Sequence, residues 1–264
     1  MKLTVLMDNN TYIDQYYLGE PAVCYYIEEG DARVLFDAGY SDAFLKNAEA
    51  MGIDLNVLTH IVLSHGHDDH TRGLLFLPTS YAQLIAHPDC FLPKTFDGMS
   101  IGAPFSAEEA AKHWNYMPCK GVLPVTENLL FLGEIPRVTD FESKNPIGFR
   151  EENGEKTPDF LMDDTGLVYR TAEGLFLITG CSHSGICNMV EYAKQVCGDD
   201  RILGILGGFH LLEDNAQLSE TIRYLKSCKP KFLYPCHCVC LAGKAAMMAA
   251  MPVQEVGVGM TFEI

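Results

Sequence analysis

Apolar stretches of four to seven residues alternate with amphipathic ones along most of the chain. Alternation of apolar and polar positions, with β-branched or aromatic residues, predicts strands in KLTVLM (2–7), AVCYYIE (22–28) and ARVLFDA (32–38). Apolar residues at helical spacing predict a helix over 41–51, which Gly52 ends. HIVL (60–63) and LIAH (84–87) are predicted as short buried strands.

The second half shows the same alternation after an irregular middle. Ser106 and Glu109 form a capping-box pattern ahead of a helix that reaches Trp114, whereas the polar residues 140–157 are expected to form a surface loop. The remaining predictions are a hairpin-like pair GLVYR and LFLITG, helices over 185–197, 218–227 and 242–251, strands ILGIL and FLYP, and a closing strand VGVGMTFEI. Without repeats or low-complexity linkers, residues 1–264 are predicted to form one α/β domain.

Composition excludes several function classes. The formal net charge of −16 lacks the basic surface that nucleic-acid binders use, so we expect a small-molecule partner and no nucleic acid. No apolar run approaches the ~18 residues of a membrane-spanning helix, and MKLTVLMDNN reaches Asp8 too soon for a signal-peptide core. We therefore expect a cytoplasmic protein, without membrane association, whose ten cysteines are reduced thiols. The oligomeric state is left open.

The run SHGHDDH directly after HIVL is the main chemical feature. Such a polar run is costly to bury and contributes little to packing. His65 and His67 are two residues apart and can reach one metal ion from the same side of an extended loop, while Asp69 and His70 can reach a second. Imidazole and carboxylate groups suit Zn²⁺ or Fe²⁺. The alternative is a solvated polar turn.

HGHDDH matches the H-x-H-x-D-H signature of the metallo-β-lactamase superfamily, and LFDAG resembles the strand that precedes it there, with Asp37 supporting the ligands. Further landmarks resemble a subgroup described as similar to an archaeal dihydropterin ribofuranosyl-aminobenzene phosphate synthase. They are TVLMDNN, LSHGHDDHTRGL, TGCSHSGICN, GGFHL and PCHC. The resemblance implies a four-layer αββα sandwich that holds two divalent metal ions, with zinc expected first and iron or manganese as alternatives.

The resemblance also assigns roles to later residues. It implies that His183 and His237 are metal ligands, and that His210 binds an oxyanion or acts as general acid. Cys181 occupies the position of an aspartate that bridges the metals in many relatives. The chain lacks the family's histidine before the preceding hairpin, so Asp163 or Asp164 substitutes, or the site holds fewer ligands.

Other histidines and thiols receive structural roles. His87 and His113 are predicted to be structural, and the thiols around His237 in CHCVC are predicted to lie near the site without forming a second zinc site.

The implied function is that of a metal-dependent hydrolase. Two metal ions would activate water for attack on a carbonyl carbon or a phosphorus, and Asp69 would orient the nucleophile in addition to binding metal. The expected substrate is small and anionic or phosphorylated, with a pterin-related compound suggested by the subgroup. Two alternatives stay open, a di-iron redox protein of the same fold and a non-catalytic metal-binding sensor.

Overall fold

The computed structural model describes residues 1–264 and has α/β architecture with seventeen strands and six α-helices. In chain order, the strands are β1 (Lys2–Met7), β2 (Cys24–Glu29), β3 (Ala32–Phe36), β4 (His60–Val62), β5 (Gln83–Ala86), β6 (Lys94–Phe96), β7 (Met99–Ser100), β8 (Asn115–Pro118), β9 (Leu123–Pro124), β10 (Leu129–Phe131), β11 (Phe149–Glu152), β12 (Glu155–Pro158), β13 (Gly166–Thr171), β14 (Gly174–Thr179), β15 (Ile202–Gly207), β16 (Phe232–Pro235) and β17 (Thr261–Glu263). The helices are α1 (Ala43–Ala50), α2 (Asp68–Thr71), α3 (Ala107–His113), α4 (Ile186–Cys197), α5 (Ala216–Cys228) and α6 (Leu241–Ala250).

Most elements lie where the sequence predicts them, but the middle segment does not. The prediction of a surface loop over 140–157 is wrong, because β11 and β12 form an antiparallel hairpin there. Asn153 and Gly154 make its turn with φ of 53° and 81°, as an Asn-Gly turn favours. Both strands are polar and largely exposed, so they lack the apolar alternation by which strands are recognised. The closing strand is also shorter than predicted, since only β17 is extended in VGVGMTFEI.

The chain divides into two compact units. Unit 1 comprises Met1–Lys120, Pro146–Asp159 and Val256–Ile264. Its main sheet has the order β17-β1-β2-β3-β4-β5-β8, in which β3, β4, β5 and β8 run parallel to their neighbours. A smaller sheet has the order β12-β11-β6-β7. One apolar core packs the main sheet against α1 and α3, with Phe44 and Trp114 among its larger side chains.

Unit 2 comprises Gly121–Asn145 and Phe160–Glu255. Its sheet has the order β16-β15-β14-β13-β10-β9, with β14, β15 and β16 parallel and the others antiparallel. Its core collects buried residues from this sheet and from α4, α5 and α6. The single-domain organisation expected from the sequence stays a prediction.

Parallel pairing decides where the loops of each unit lie. The carboxyl ends of adjacent parallel strands meet at one edge of a sheet, so the loops after β3, β4 and β5 lie together in unit 1. The loops after β14, β15 and β16 lie together in unit 2. No helix has the length and apolar character that crossing a membrane requires. All ten cysteines are free thiols.

Candidate metal centre

In unit 1, two parallel strands place the polar run SHGHDDH. β3 ends next to Asp37, and β4 leads through Leu63 and Ser64 into His65. Asp69 and His70 lie on α2, a single helical turn that follows directly. The structure therefore brings the four predicted ligands of this run into one loop and one turn, beside the end of the neighbouring strand.

Asp37 organises this loop although it lies far from it in sequence. Its fully buried carboxylate accepts hydrogen bonds from the backbone N–H of Ser64 (2.7 Å), from Ser64 Oγ (2.7 Å) and from His70 Nδ1 (2.7 Å). Asp37 also has φ of 56°, a conformation that L-residues adopt at some cost and that is common at functional sites. Three donors meeting one buried carboxylate hold the loop in a defined geometry.

The same bonds determine which ring nitrogens can bind a metal. A carboxylate only accepts, so His70 Nδ1 carries the proton and leaves Nε2 with its lone pair. Ser64 Oγ donates to Asp37, so it accepts from His65 Nδ1 at 2.9 Å, which leaves His65 Nε2 with its lone pair as well. Both histidines are thus oriented as metal ligands usually are, with the second nitrogen donating to a protein group.

The four side chains of the run lie close together. His65 Nε2 is 3.0 Å from His67 Nδ1, the His65 and His70 ring centroids are 4.3 Å apart, and His70 Nε2 is 3.4 Å from Asp69 Oδ2. Burial by itself would lower the pKa of His70, but the charges of Asp69 and Asp37 raise it well above its usual value. The same negative field would stabilise a bound cation.

Gly66 separates His65 from His67 because no larger residue fits there. A Cβ on Gly66 would lie 2.0 Å from the backbone oxygen of Cys90, well inside contact distance. Beyond it, the backbone N–H of Asp68 donates to the carbonyl oxygen of Ile101 at 2.9 Å. Close backbone packing therefore fixes the spacing of the two histidines.

In unit 2, the loops after the parallel strands hold the other predicted residues. Cys181 and His183 follow β14, His210 follows β15, and His237 follows β16. Ser182, His210 and His237 have φ of 53°, 47° and 49°. Left-handed conformations of non-glycine residues at three such loops indicate a site where the backbone is held for function.

Three potential ligand atoms of unit 2 are near one another. Cys181 Sγ and one ring nitrogen each of His183 and His210 all lie within 4.8 Å of one another. The rings of His183 and His210 meet edge to face, with centroids 4.3 Å apart. Cys181 and His183 are 4% and 8% exposed, so both are shielded from bulk water.

Cys238, the neighbour of His237, contacts this group. Its Sγ accepts a hydrogen bond from the backbone N–H of His210 at 3.1 Å. Burial would raise the pKa of the Cys238 thiol, but hydrogen bonds with Cys181 and His210 and the charge of His237 lower it well below its usual range. The thiols on the two sides of the CHCVC motif therefore have different surroundings, since Cys240 accepts from the N–H of Gly243 at the start of α6.

Asp164 anchors the loop that carries His183. Its Oδ2 accepts from the backbone N–H of Ser184 at 2.9 Å and from Ser184 Oγ at 2.6 Å, while its buried Oδ1 has no hydrogen-bond partner. Burial raises the pKa of Asp164 to about 6. One oxygen is thus used to hold the loop, and the other is left for a cation or a further donor.

Sequence reasoning missed a second support of this loop. The Glu142 carboxylate, 2% exposed, accepts from the backbone N–H groups of Cys187 and Asn188 at 2.9 Å each and caps the first turn of α4. Asn188 in turn accepts from the N–H groups of Val138 and Thr139 and donates to the carbonyl oxygen of Ser184. Asn188 closes the motif TGCSHSGICN, but nothing in the polar segment around Glu142 distinguishes that residue.

His87 and His113 have structural contacts elsewhere. His87 Nδ1 accepts from the N–H of Asp89 and caps a 3-10 helix, and His113 Nδ1 pairs with Thr79 Oγ1 at 2.8 Å. Neither contact resembles metal ligation, in agreement with the roles predicted for them.

The donor set fits divalent metal ions. Unit 1 groups three imidazoles and a carboxylate, and unit 2 groups a thiol and imidazoles, all of which are ligands of Zn²⁺ or Fe²⁺. Buried polar atoms without hydrogen-bond partners, Asp164 Oδ1 and His210 Nδ1, are costly unless a cation or substrate meets them. The residues thus suggest metal binding, while the identity of the metal is not determined by them.

Comparison with known proteins agrees with this chemistry. The family described as the metallo-beta-lactamase superfamily matches residues 18–237. An uncharacterized protein of Methanocaldococcus jannaschii is 33% identical over 89% of this chain and 90% of its own length. The 7,8-dihydropterin-6-methyl-4-(beta-D-ribofuranosyl)-aminobenzene-5'-phosphate synthase of the same organism is 30% identical over 78% of this chain and 75% of its own length.

A solved structure confirms the fold class. The crystal structure of Tm1679, described as a metal-dependent hydrolase of the beta-lactamase superfamily, matches with a TM-score of 0.89 and 29% identity, covering 100% of this chain and 99% of that one. A family match over most of the residues, a similar fold and the histidine–aspartate cluster all lead to the same assignment. The chain belongs to the metallo-β-lactamase superfamily.

Proposed function

We propose that this protein is a metal-dependent hydrolase that acts on a small, anionic molecule. The observation that carries the proposal is the cluster of His65, His67, Asp69 and His70, with Asp37 holding one of its rings. The proposed metal ligands are His65, His67, Asp69 and His70 of unit 1 and His183 and His237 of unit 2. When bound there, divalent ions would lower the pKa of a coordinated water to near neutrality.

The chain's own residues would prepare the reaction. Asp37 keeps the proton on His70 Nδ1, so that Nε2 presents a lone pair. Asp69 is proposed to orient the attacking water in addition to binding metal. His210 is proposed to contact the developing oxyanion or to protonate the leaving group, and its Nδ1 has no partner within the protein.

The substrate is proposed to be a phosphorylated small molecule. The net charge of −16 disfavours a polyanion such as RNA, whereas a single phosphate group can be met by local positive charge at bound metal ions. The synthase relative is named for a phosphate-bearing pterin compound, and Tm1679 is described as a metal-dependent hydrolase. Phosphorylated, pterin-like compounds are therefore the first class to screen.

Metal content and turnover together test the proposal. Protein purified without added metal is analysed for its elements, and hydrolysis of an activated phosphodiester and of phosphorylated small molecules is followed. We expect bound zinc, iron or manganese and metal-dependent turnover, both greatly reduced by His67→Ala. His113→Ala is the matched control, because His113 contacts Thr79 rather than the cluster.

Three outcomes would contradict the proposal. Metal binding without turnover on any ester or phosphodiester would indicate a sensor, and two irons with a visible chromophore and redox activity would indicate an electron-transfer or oxygen-reducing protein. Equal metal content in His67→Ala and wild type would remove the cluster as the metal site.

A further inference from the structure

A thiol lies among the imidazoles of unit 2. Cys181 Sγ is within 4.8 Å of a ring nitrogen of His183 and of a ring nitrogen of His210. Around a tetrahedral zinc, with sulfur about 2.3 Å and nitrogen about 2.0 Å from the metal, ligand atoms are about 3.5 Å from one another. Modest side-chain rotation would therefore bring Cys181 and His183 to ligand spacing.

We propose that the Cys181 thiolate and His183 bind the same metal ion, and that this ion is consequently thiophilic. On binding, the S–H bond breaks, the proton passes to solvent and a metal–sulfur bond forms, without any change of oxidation state. Thiolate ligation selects Zn²⁺ or Fe²⁺ over Mg²⁺ or Mn²⁺. The inference rests on the proposed function and adds to it a ligand and a class of metal.

The surroundings of Asp164 favour the thiol over the carboxylate as the ligand from this part of unit 2. Asp164 Oδ2 already accepts two hydrogen bonds from Ser184, one of them at 2.6 Å. Moving this carboxylate onto a metal would break the contact that holds the residue next to His183. Asp164 is therefore a positioning residue that presents His183.

The other thiols near the site have different partners. Cys238 Sγ accepts from the backbone N–H of His210 and donates to the carbonyl oxygen of Cys181 at 3.7 Å. Cys240 Sγ accepts from the N–H of Gly243 at 3.2 Å as part of a helix cap. Cys181 is the thiol whose sulfur groups with imidazole nitrogens.

Cobalt substitution tests the inference on the full chain. Co²⁺ bound by a thiolate gives a sulfur-to-cobalt charge-transfer band in the near ultraviolet, whereas its visible bands report only that it is bound. Spectra are recorded for wild type, Cys181→Ser, Cys181→Asp, Cys238→Ser and Cys240→Ser. Cys181→Asp supplies an oxygen ligand at the same position, and it keeps the test decisive if Cys181→Ser folds poorly.

The expected result is a near-ultraviolet band in wild type, Cys238→Ser and Cys240→Ser that is absent from both Cys181 variants. Cys181→Asp should retain the visible bands, because cobalt is still bound. Visible bands without a charge-transfer band in wild type would overturn the thiolate assignment and leave the proposed function standing. A band lost in Cys238→Ser and kept in Cys181→Ser would overturn it in favour of Cys238. Failure of wild type to bind cobalt or zinc at all would refute the proposed function as well.

Discussion

Replacing Glu142 by alanine tests whether the buried carboxylate stabilises unit 2. The carboxylate accepts two backbone N–H groups of α4 at 2.9 Å and Thr139 Oγ1 at 3.1 Å, and it is almost completely buried. Alanine would leave those donors without an acceptor in an environment that water reaches poorly.

The size of the effect follows from these three bonds. A buried donor left without a partner costs about 1–3 kcal/mol, and bonds to charged groups are at the upper end of hydrogen-bond contributions. Relief of the burial penalty, which raises the pKa of Glu142, offsets part of the loss. We therefore expect Glu142→Ala to lower the free energy of unfolding by about 3 kcal/mol.

Equilibrium urea unfolding of the full chain, followed by circular dichroism, measures this change. Glu155→Ala is the control, since Glu155 is exposed on β12 and its loss should cost no more than about 0.5 kcal/mol. A decrease for Glu142→Ala of less than about 1 kcal/mol would refute the reasoning, because it would mean that water or neighbouring groups satisfy the three donors.

Three further changes have defined outcomes. Lys94→Met leaves Asp159 charged and buried without its partner at 2.7 Å and should cost about 3–5 kcal/mol in urea unfolding, whereas Lys94→Met combined with Asp159→Leu should cost less; equal losses would contradict this. Gly66→Ala should reduce metal content and thermal stability, since its Cβ would lie 2.0 Å from a backbone oxygen, while Gly121→Ala, with no atom within 4 Å, should change neither. Burial raises the pKa of Glu142 above 4.5 in the folded state, so its titration favours folding below 4.5 and this contribution is lost as pH rises through the folded-state pKa. The stability of wild type relative to Glu142→Gln should consequently increase as pH falls from neutrality to about 4.5, and a pH-independent difference in urea unfolding would exclude the shift.

Local patterns predicted most of the fold because each helix and strand is encoded by neighbouring residues. The capping box of Ser106 and Glu109 forms at the start of α3 as expected, and the alternation in KLTVLM gives a buried strand. The hairpin of β11 and β12 escaped prediction, since exposed polar strands lack that alternation and only the Asn153–Gly154 turn indicates it.

The sequence by itself determined the chemistry available to this protein. The spacing of His65, His67, Asp69 and His70 places four ligands within six residues, and no tertiary contact is needed to bring them together. The family match over residues 18–237 agrees with the resemblance that this motif suggested.

Tertiary structure alone decided how these groups are held. Asp37 meets His70 across 33 positions, and Glu142 meets the first turn of α4 across 45 positions, because strand order and sheet packing bring their segments together. A hydrogen bond between distant residues depends on the path of the whole chain, and no local pattern records it.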